Sequence, residues 1–87
     1  MKPQRHFLDR RAAELAARAE TLPDDALIDT RALAAWLDVS VEWAEIGRHR
    51  GYGPKFVRLS PRRVRYRAGD VRAWLRERTL QRASESA

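Results

Sequence analysis

Cysteine is absent from the 87 residues, and histidine and glycine are scarce, with two and four copies. Without cysteine the protein has no disulfide and no thiolate–metal site, and the isolated histidines, His6 and His49, have no neighbouring ligand. Gly51-Tyr52-Gly53 lacks the Lys-Ser/Thr continuation of a phosphate-binding loop. The serines lack the base and acid that would activate a nucleophile. We therefore expect no metal, no cofactor and no enzymatic activity.

Long apolar runs are missing as well. No stretch approaches the length of a membrane-spanning helix, and residues 1–6 lead into no signal-peptide core. A chain of 87 residues builds one small domain with a modest core. We expect a soluble cytoplasmic protein, with an N-terminal amphipathic helix in residues 1–25, a main domain in residues 26–82 and a flexible tail in residues 83–87.

Positive charge is abundant but unevenly distributed along the chain, whose formal net charge is +6. Residues 1–45 carry six basic and nine acidic groups, whereas residues 48–82 carry twelve basic and two acidic groups. Sixteen of the eighteen basic residues are arginine. Arginine suits phosphate and base-edge contacts better than lysine, although biased codon usage would also explain its excess. A polyanion would therefore bind the second half of the chain.

Apolar residues at helical spacing predict an amphipathic helix over residues 4–22, which Pro23-Asp24-Asp25 ends. Its stripe consists of Leu8, Ala12, Leu15, Ala19 and Leu22. In the simpler interpretation this stripe packs on the rest of the domain and enlarges a thin core. Alternatively, the regular recurrence of leucine serves contact with a neighbouring molecule.

A helix–turn–helix follows a short extended segment, Ala26–Asp29. Thr30 is predicted to cap a helix over Arg31–Leu37, and Ser40 to cap a second helix from Val41 to about His49. Between them Asp38-Val39-Ser40 makes a tight connection, in which Asp38 enters the left-handed conformation more readily than most residues. Gly51-Tyr52-Gly53-Pro54 ends the second helix.

The remaining residues predict a β-hairpin and a last helix. Phe56–Leu59 and Val64–Arg67 are strand-like, with a turn at Ser60–Arg63. In the second strand Val64 and Tyr66 share one face, and the arginines share the other. Arg58 is expected on that arginine face. A helix opening at Gly69-Asp70 closes the domain, and its arginines are expected to form an ordinary charged face.

This order predicts a mainly α-helical protein with a small β-hairpin, a winged helix–turn–helix preceded by one extra helix. Aromatic side chains are expected in the core or at its edge, because so small a domain needs them there. Trp43 and Ile46 are expected to fill the space beside the small Ala44 and Gly47.

Three motifs within residues 28–78 then carry a resemblance to a known family. They are Thr30-Arg31-Ala32-Leu33-Ala34-Ala35-Trp36-Leu37-Asp38-Val39-Ser40, Gly51-x-Gly53-Pro54-x-Phe56-Val57-Arg58-Leu59 and Arg63-Val64-Arg65-Tyr66-Arg67-x-x-Asp70-Val71-x-Ala73-Trp74-Leu75. Together they resemble the small excisionase-like and AlpA-like proteins, which have a MerR-like winged helix–turn–helix DNA-binding domain.

The resemblance implies a bacterial or phage protein that binds double-stranded DNA. Many members are excisionases (recombination directionality factors) that bind tandem sites cooperatively, bend the DNA and direct a tyrosine integrase toward excision; others are transcriptional regulators. It places the helix Val41–His49 in the major groove and the turn Ser60–Arg63 at the adjacent minor groove. The predicted DNA contacts are Ser40, Val41, Glu42, Arg48, Arg50, Lys55, Arg58, Arg62, Arg63, Arg65 and Arg67.

Two observations leave other interpretations open. The second helix is less basic than its counterparts in the family, because it carries Glu42 and Glu45, although Glu42 could accept a hydrogen bond from cytosine. Arg48, His49 and Arg50 at the end of this helix serve either phosphate contact or compensation of the helix dipole. Apart from DNA binding, the arginines would also suit a protein-interaction module with an acidic partner or ribosomal RNA.

Overall fold

The computed structural model describes the backbone of residues 3–80 and the side chains of residues 10–80. These residues form a small mixed α/β domain, with four α-helices and a three-stranded antiparallel sheet in the order β1-β3-β2. The elements are α1 (Pro3–Ala17), β1 (Leu27–Ile28), α2 (Thr30–Leu37), α3 (Val41–Arg50), β2 (Val57–Ser60), β3 (Arg63–Arg67) and α4 (Ala68–Glu77). The predicted flexible tail lies outside the described residues. Within residues 3–80, no helix combines the length and the apolar character needed to cross a bilayer.

Helix α1 is shorter than its apolar stripe predicts. It ends at Ala17, and a 3₁₀ turn over Ala19–Thr21 replaces the last predicted α-helical turn. The carbonyl groups of Ala19 and Leu22 turn toward α4, where the guanidinium of Arg72 donates hydrogen bonds to both. The prediction of an α-helix up to residue 22 is therefore wrong, because these carbonyls accept hydrogen bonds from Arg72 of α4.

The apolar stripe nevertheless packs within the chain. Ala12 and Ala19 are buried, and the half-buried Leu15 and Leu22 pack against the core. The side chain of Leu8 lies outside the described residues. For residues 12–22, the structure confirms the simpler of the two interpretations, in which the stripe enlarges the core.

The core lies between the helices and one face of the sheet. Its most completely buried large side chains are Leu33 of α2, Tyr66 of β3 and Val71 of α4. Exposure alternates along β3, where Val64 and Tyr66 are buried while Arg63 and Arg67 are exposed. This alternation confirms the predicted two-faced strand.

Strand β1 adds a third strand to the predicted hairpin. The extended segment is confirmed, and Leu27 pairs with Arg67 while Ile28 pairs with Tyr66. The ladder continues beyond the strand, because the amide of Ala68 donates to the carbonyl of Ala26 at 2.9 Å. β3 is therefore the central strand, held on both sides.

The helix caps match the prediction at α3 but not at α2. The Ser40 Oγ accepts from the amide of Trp43 at 3.0 Å, as predicted. At α2 the capping residue is Asp29, whose carboxylate accepts from the amide of Ala32 at 2.9 Å, and Thr30 is the first helical residue. An Asp directly before a Thr offers two candidate caps, and here the carboxylate takes the position. Asp38 connects the helices with φ of 58°, the predicted left-handed conformation.

Gly47 allows the chain to turn back closely at the end of α3. A Cβ at this position would lie 2.7 Å from the carbonyl oxygen of Tyr52 and 2.8 Å from its ring. The Tyr52 ring packs there against Trp43, with ring centroids 5.1 Å apart. Ile46, expected to fill this space, is instead 44% exposed, because Tyr52 occupies it.

Candidate nucleic-acid interface

An open groove runs between α3 and the β2–β3 hairpin, and we call it the α3–hairpin groove. One half is lined by Glu45, Arg48, His49, Arg58, Pro61, Arg62 and Val64. The other half shares Glu45, Arg48, Arg62 and Val64 and adds Asp29, Thr30, Arg31, Val41 and Arg65. The capped start of α3 and the turn at Pro61-Arg62 face each other across it, so that helix, strand and turn contribute side chains to one surface.

Arg48 of α3 lines both halves of this groove and bonds to residues of α2 and β3. Its guanidinium donates to the hydroxyl of Tyr66 at 2.7 Å and to the Oγ1 of Thr30 at 3.3 Å. It also lies over the rings of Phe56 and Tyr66, 5.8 and 6.0 Å from their centroids. These partners are neutral, so they orient the cation without cancelling its charge. Anchoring of α3 is a role for Arg48 that sequence reasoning did not identify.

Arg58 lies on the opposite side of the sheet from the one predicted. The strand register pairs it with Val64 and pairs Val57 with Arg65, and directly paired residues share a face. The expectation that Arg58, Arg65 and Arg67 share one face is therefore wrong for Arg58. The alternation of side chains between the two faces of each strand was predicted correctly. The pairing register, which is irregular between Arg58 and Ser60, depends on the turn.

This register places Arg58 on the same face as Val64, and both residues line the groove. Its guanidinium donates to the carbonyl of Pro61 at 3.2 Å and lies 5.8 Å from the Phe56 ring centroid. Arg62 is exposed at the turn and lines both halves of the groove. Arg65 is half-buried and donates to the carbonyl of Val64 at 2.8 Å while lining one end. Three arginines of the hairpin thus border the groove.

The groove gathers five of the eleven predicted contacts, namely Val41, Arg48, Arg58, Arg62 and Arg65. The other six lie around it or away from it, and all are exposed: Ser40 and Glu42 at the start of α3, Arg50 at its end, Lys55 in the following loop, Arg63 beside the turn, and Arg67 at the far end of β3. The Oγ of Ser40 is engaged in its capping bond.

Arg31 is a groove residue that sequence reasoning missed. It lies in the first turn of α2 and reaches the groove because α2 packs against α3. The residues next to Arg31 in the sequence do not indicate that it reaches the groove, because helical periodicity predicts only that its side chain is partly exposed. Glu45 and His49 also line the groove.

Few carboxylates compensate the groove arginines. Arg48, Arg58 and Arg65 donate to hydroxyl or carbonyl oxygens. Of the two acidic residues that line the groove, Asp29 already accepts from the backbone as the cap of α2. Within residues 10–80 the groove therefore keeps a net positive charge.

Of the α4 arginines that were predicted to form an ordinary charged face, Arg72 departs from the prediction, whereas Arg76 and Arg78 are exposed as predicted. Arg72 forms an ion pair with Asp24 at 2.8 Å, and Arg78 lies 4.3 Å from the ring centroid of Trp74 while pairing with Glu77 at 3.4 Å. Arg72 therefore fastens α4 to the loop after α1, whereas Arg78 contacts residues of α4 itself. Neither side chain lines the groove. Among the described side chains, no three His, Asp or Glu residues cluster as metal ligands would.

No protein-family model matches this chain, and no curated protein matches it significantly.

Proposed function

We propose that this protein is a winged helix–turn–helix protein that binds double-stranded DNA through the α3–hairpin groove. The observation that carries the proposal is that Arg48, Arg58 and Arg65 line this groove and donate to neutral hydroxyl or carbonyl oxygens. Phosphate contacts supply most of the affinity of such proteins, and arginine forms them well. In this proposal α3 enters the major groove, and the turn between β2 and β3 reaches the adjacent minor groove.

The position of Arg62 supports the minor-groove contact. It lies at the outermost point of the hairpin, where Pro61 precedes it, and it faces α3 across the groove. An arginine projecting from a narrow ribbon can enter a narrow minor groove, where the negative potential is strongest. Arg63 is exposed beside it and provides a second cation at the same tip.

We further propose that the protein acts as an excisionase, which binds neighbouring copies of itself along DNA and directs a tyrosine integrase. This role depends on the resemblance of the motifs and not on the geometry of the groove. A domain of 87 residues buries limited DNA surface by itself, which favours binding as several copies on adjacent sites.

The hairpin tip can be tested with the double variant Arg62→Ala/Arg63→Ala. Each neutralised phosphate contributes about 0.9 to the slope of log affinity against log salt for duplex DNA. We expect the double variant to bind duplex DNA more weakly and with a slope smaller by roughly two units. The measurement is an electrophoretic shift or fluorescence anisotropy titration at several salt concentrations.

A matched control is Arg11→Ala/Arg18→Ala, which removes the same charge from exposed positions of α1 and its end. It should leave the slope nearly unchanged. Equal slopes for the hairpin variant and the wild type would show that the tip does not contact phosphates. A wild-type affinity for duplex DNA that is independent of salt would exclude the proposed function altogether.

Footprinting on the DNA that flanks the protein's own gene separates the two biological roles. A ladder of complexes on tandem sites beside an attachment site, together with DNA bending, supports the excisionase. Protection of one promoter operator supports a transcriptional regulator that uses the same contacts.

A further inference from the structure

Glu45 is an acidic residue in the middle of a basic groove. It lies halfway along α3, is exposed, and lines both halves of the α3–hairpin groove. Arg48 and Arg62 line both halves with it. A groove that only bound phosphates would gain nothing from this carboxylate, because like charges repel and lower the affinity.

The carboxylate is also not used by the fold. Arg48, Arg58 and Arg65 donate to hydroxyl or carbonyl oxygens and not to the carboxylate of Glu45. It caps no helix, since Ser40 caps α3. Its neighbours on the exposed side of the helix, Ile46 and His49, do not cover it. The charge therefore faces the space that a ligand in the groove would occupy.

In the major groove of DNA, the natural partner of a carboxylate is the amino group of cytosine. Cytosine presents its N4 amino group as a donor, and glutamate accepts from it. The other bases present acceptors there, except adenine, which carries both a donor and an acceptor. A glutamate held at the centre of a recognition helix thus favours cytosine over guanine and thymine.

We propose that Glu45 determines the sequence specificity of the interface by accepting a hydrogen bond from a cytosine N4 amino group. This inference rests on the proposed function, because it requires α3 in the major groove. The arginines on either side supply affinity without regard to sequence. Where no cytosine lies opposite Glu45, its negative charge lowers the affinity for DNA. The protein therefore prefers some DNA sequences over others.

Ile46 provides a second side chain of α3 that could contact a base. It follows Glu45 on the helix, and 44% of it is exposed although it is large and apolar. In the major groove an apolar side chain contacts the methyl group of thymine. The middle of α3 therefore carries an exposed acceptor, which lines the groove, and an exposed apolar side chain at the next position.

The test selects binding sites from a pool of duplexes with a randomised central segment, using the wild type, Glu45→Ala, Glu42→Ala and Glu14→Ala, because alanine, unlike glutamine, has no side-chain acceptor. All three variants remove one negative charge from an exposed position. Glu42 lies one turn earlier on α3, and Glu14 lies on α1. Circular dichroism establishes that each variant is folded.

We expect the wild type and Glu14→Ala to select one cytosine position in common. Glu45→Ala should lose the preference there by between about 5-fold and 150-fold, the range of one good base contact. Its affinity for random duplex at the same salt should be equal to or higher than that of the wild type. A merely structural role for Glu45 would instead lower both.

Three outcomes would overturn the inference. In the first, Glu45→Ala keeps the cytosine preference of the wild type. In the second, Glu42→Ala loses it while Glu45→Ala does not, which would assign the contact to the first turn. In the third, the wild type binds duplex with steep salt dependence but selects no sequence, a result that leaves the proposed DNA binding intact. Absence of duplex binding would overturn the proposed function as well.

Discussion

At the scale of single residues, the chain uses arginine for two different tasks. Arg48 is oriented by Tyr66 and Thr30, two neutral hydroxyls, and stays part of the charged groove. Arg72 donates to backbone carbonyls and to Asp24, and is part of the scaffold. The identity of the acceptors separates the two roles, because a hydroxyl leaves the charge available while a carboxylate compensates it.

Removal of one hydroxyl tests the role of Arg48. Tyr66→Phe keeps the buried ring but removes the acceptor that lies 2.7 Å from the guanidinium. Hydrogen bonds to charged groups are worth about 1.5–3 kcal/mol, so we expect the free energy of unfolding to fall by about that amount in urea denaturation.

Tyr52→Phe is the control for this measurement, because Tyr52 is 38% exposed. Its effect should stay within about 0.5 kcal/mol. If both variants had equal stability, the bond between Tyr66 and Arg48 would contribute nothing measurable.

At the scale of elements, two capped helices and a short strand define where α3 lies. Asp29 follows β1 and caps α2, Asp38 turns the chain between α2 and α3, and Ser40 caps α3. Only the three residues from Asp38 to Ser40 connect α2 to α3.

The assignment of the α2 cap predicts a difference between two neighbouring aspartates. Asp29→Ala removes the acceptor of the Ala32 amide, and loss of such a cap costs about 0.5–2 kcal/mol. We expect a corresponding drop in the midpoint of thermal unfolding.

Asp25→Ala removes the same charge from an exposed position of the preceding loop and should change stability by less than about 0.5 kcal/mol. A larger effect at Asp25 than at Asp29 would contradict the assignment of the cap.

At the scale of the whole molecule, α4 fastens the beginning of the domain to its end. Arg72 contacts the 3₁₀ turn, Leu22 and Asp24, and its guanidinium lies 5.9 Å from the ring centroid of Trp36. Gly69 approaches the same loop so closely that a Cβ would lie 2.8 Å from the Cβ of Asp24. α1 and the loop after it are thereby tied to the sheet that carries the groove.

Arg72→Met should loosen this connection. The variant keeps an aliphatic chain but leaves the carbonyls of Ala19 and Leu22 without their donor, and we expect a loss of about 2–3 kcal/mol in the free energy of unfolding. Hydrogen exchange should increase first in the loop after α1.

The matched control is Arg76→Met on the exposed side of the same helix, with an expected effect below about 0.5 kcal/mol. The exposed ion pair with Asp24 adds little by itself, because its carboxylate is 85% exposed. Equal losses at both positions would show that Arg72 is only a surface residue.

The local order of elements could be predicted from the sequence alone. Residues close together in the sequence predict several features that match the structure. They are the helical periodicity, the capping by Ser40, the glycines after α3 and the alternation in β3. These features depend on contacts a few positions apart, within reach of a single turn or strand.

Tertiary structure alone decided which distant groups meet. The third strand at Leu27-Ile28, the anchoring of Arg48 and the bonding of the carbonyls after α1 to Arg72 all join residues remote in sequence. The face occupied by Arg58 depends on the pairing register of the hairpin. Neighbouring residues in the sequence do not reveal the pairing register of the strands or the acceptors to which the arginines donate. A flexible guanidinium donates to any oxygen that the folded chain brings within its reach. The sequence therefore determined the elements and the amount of positive charge, and the packing of the chain decided that this charge borders a groove with Glu45 at its centre.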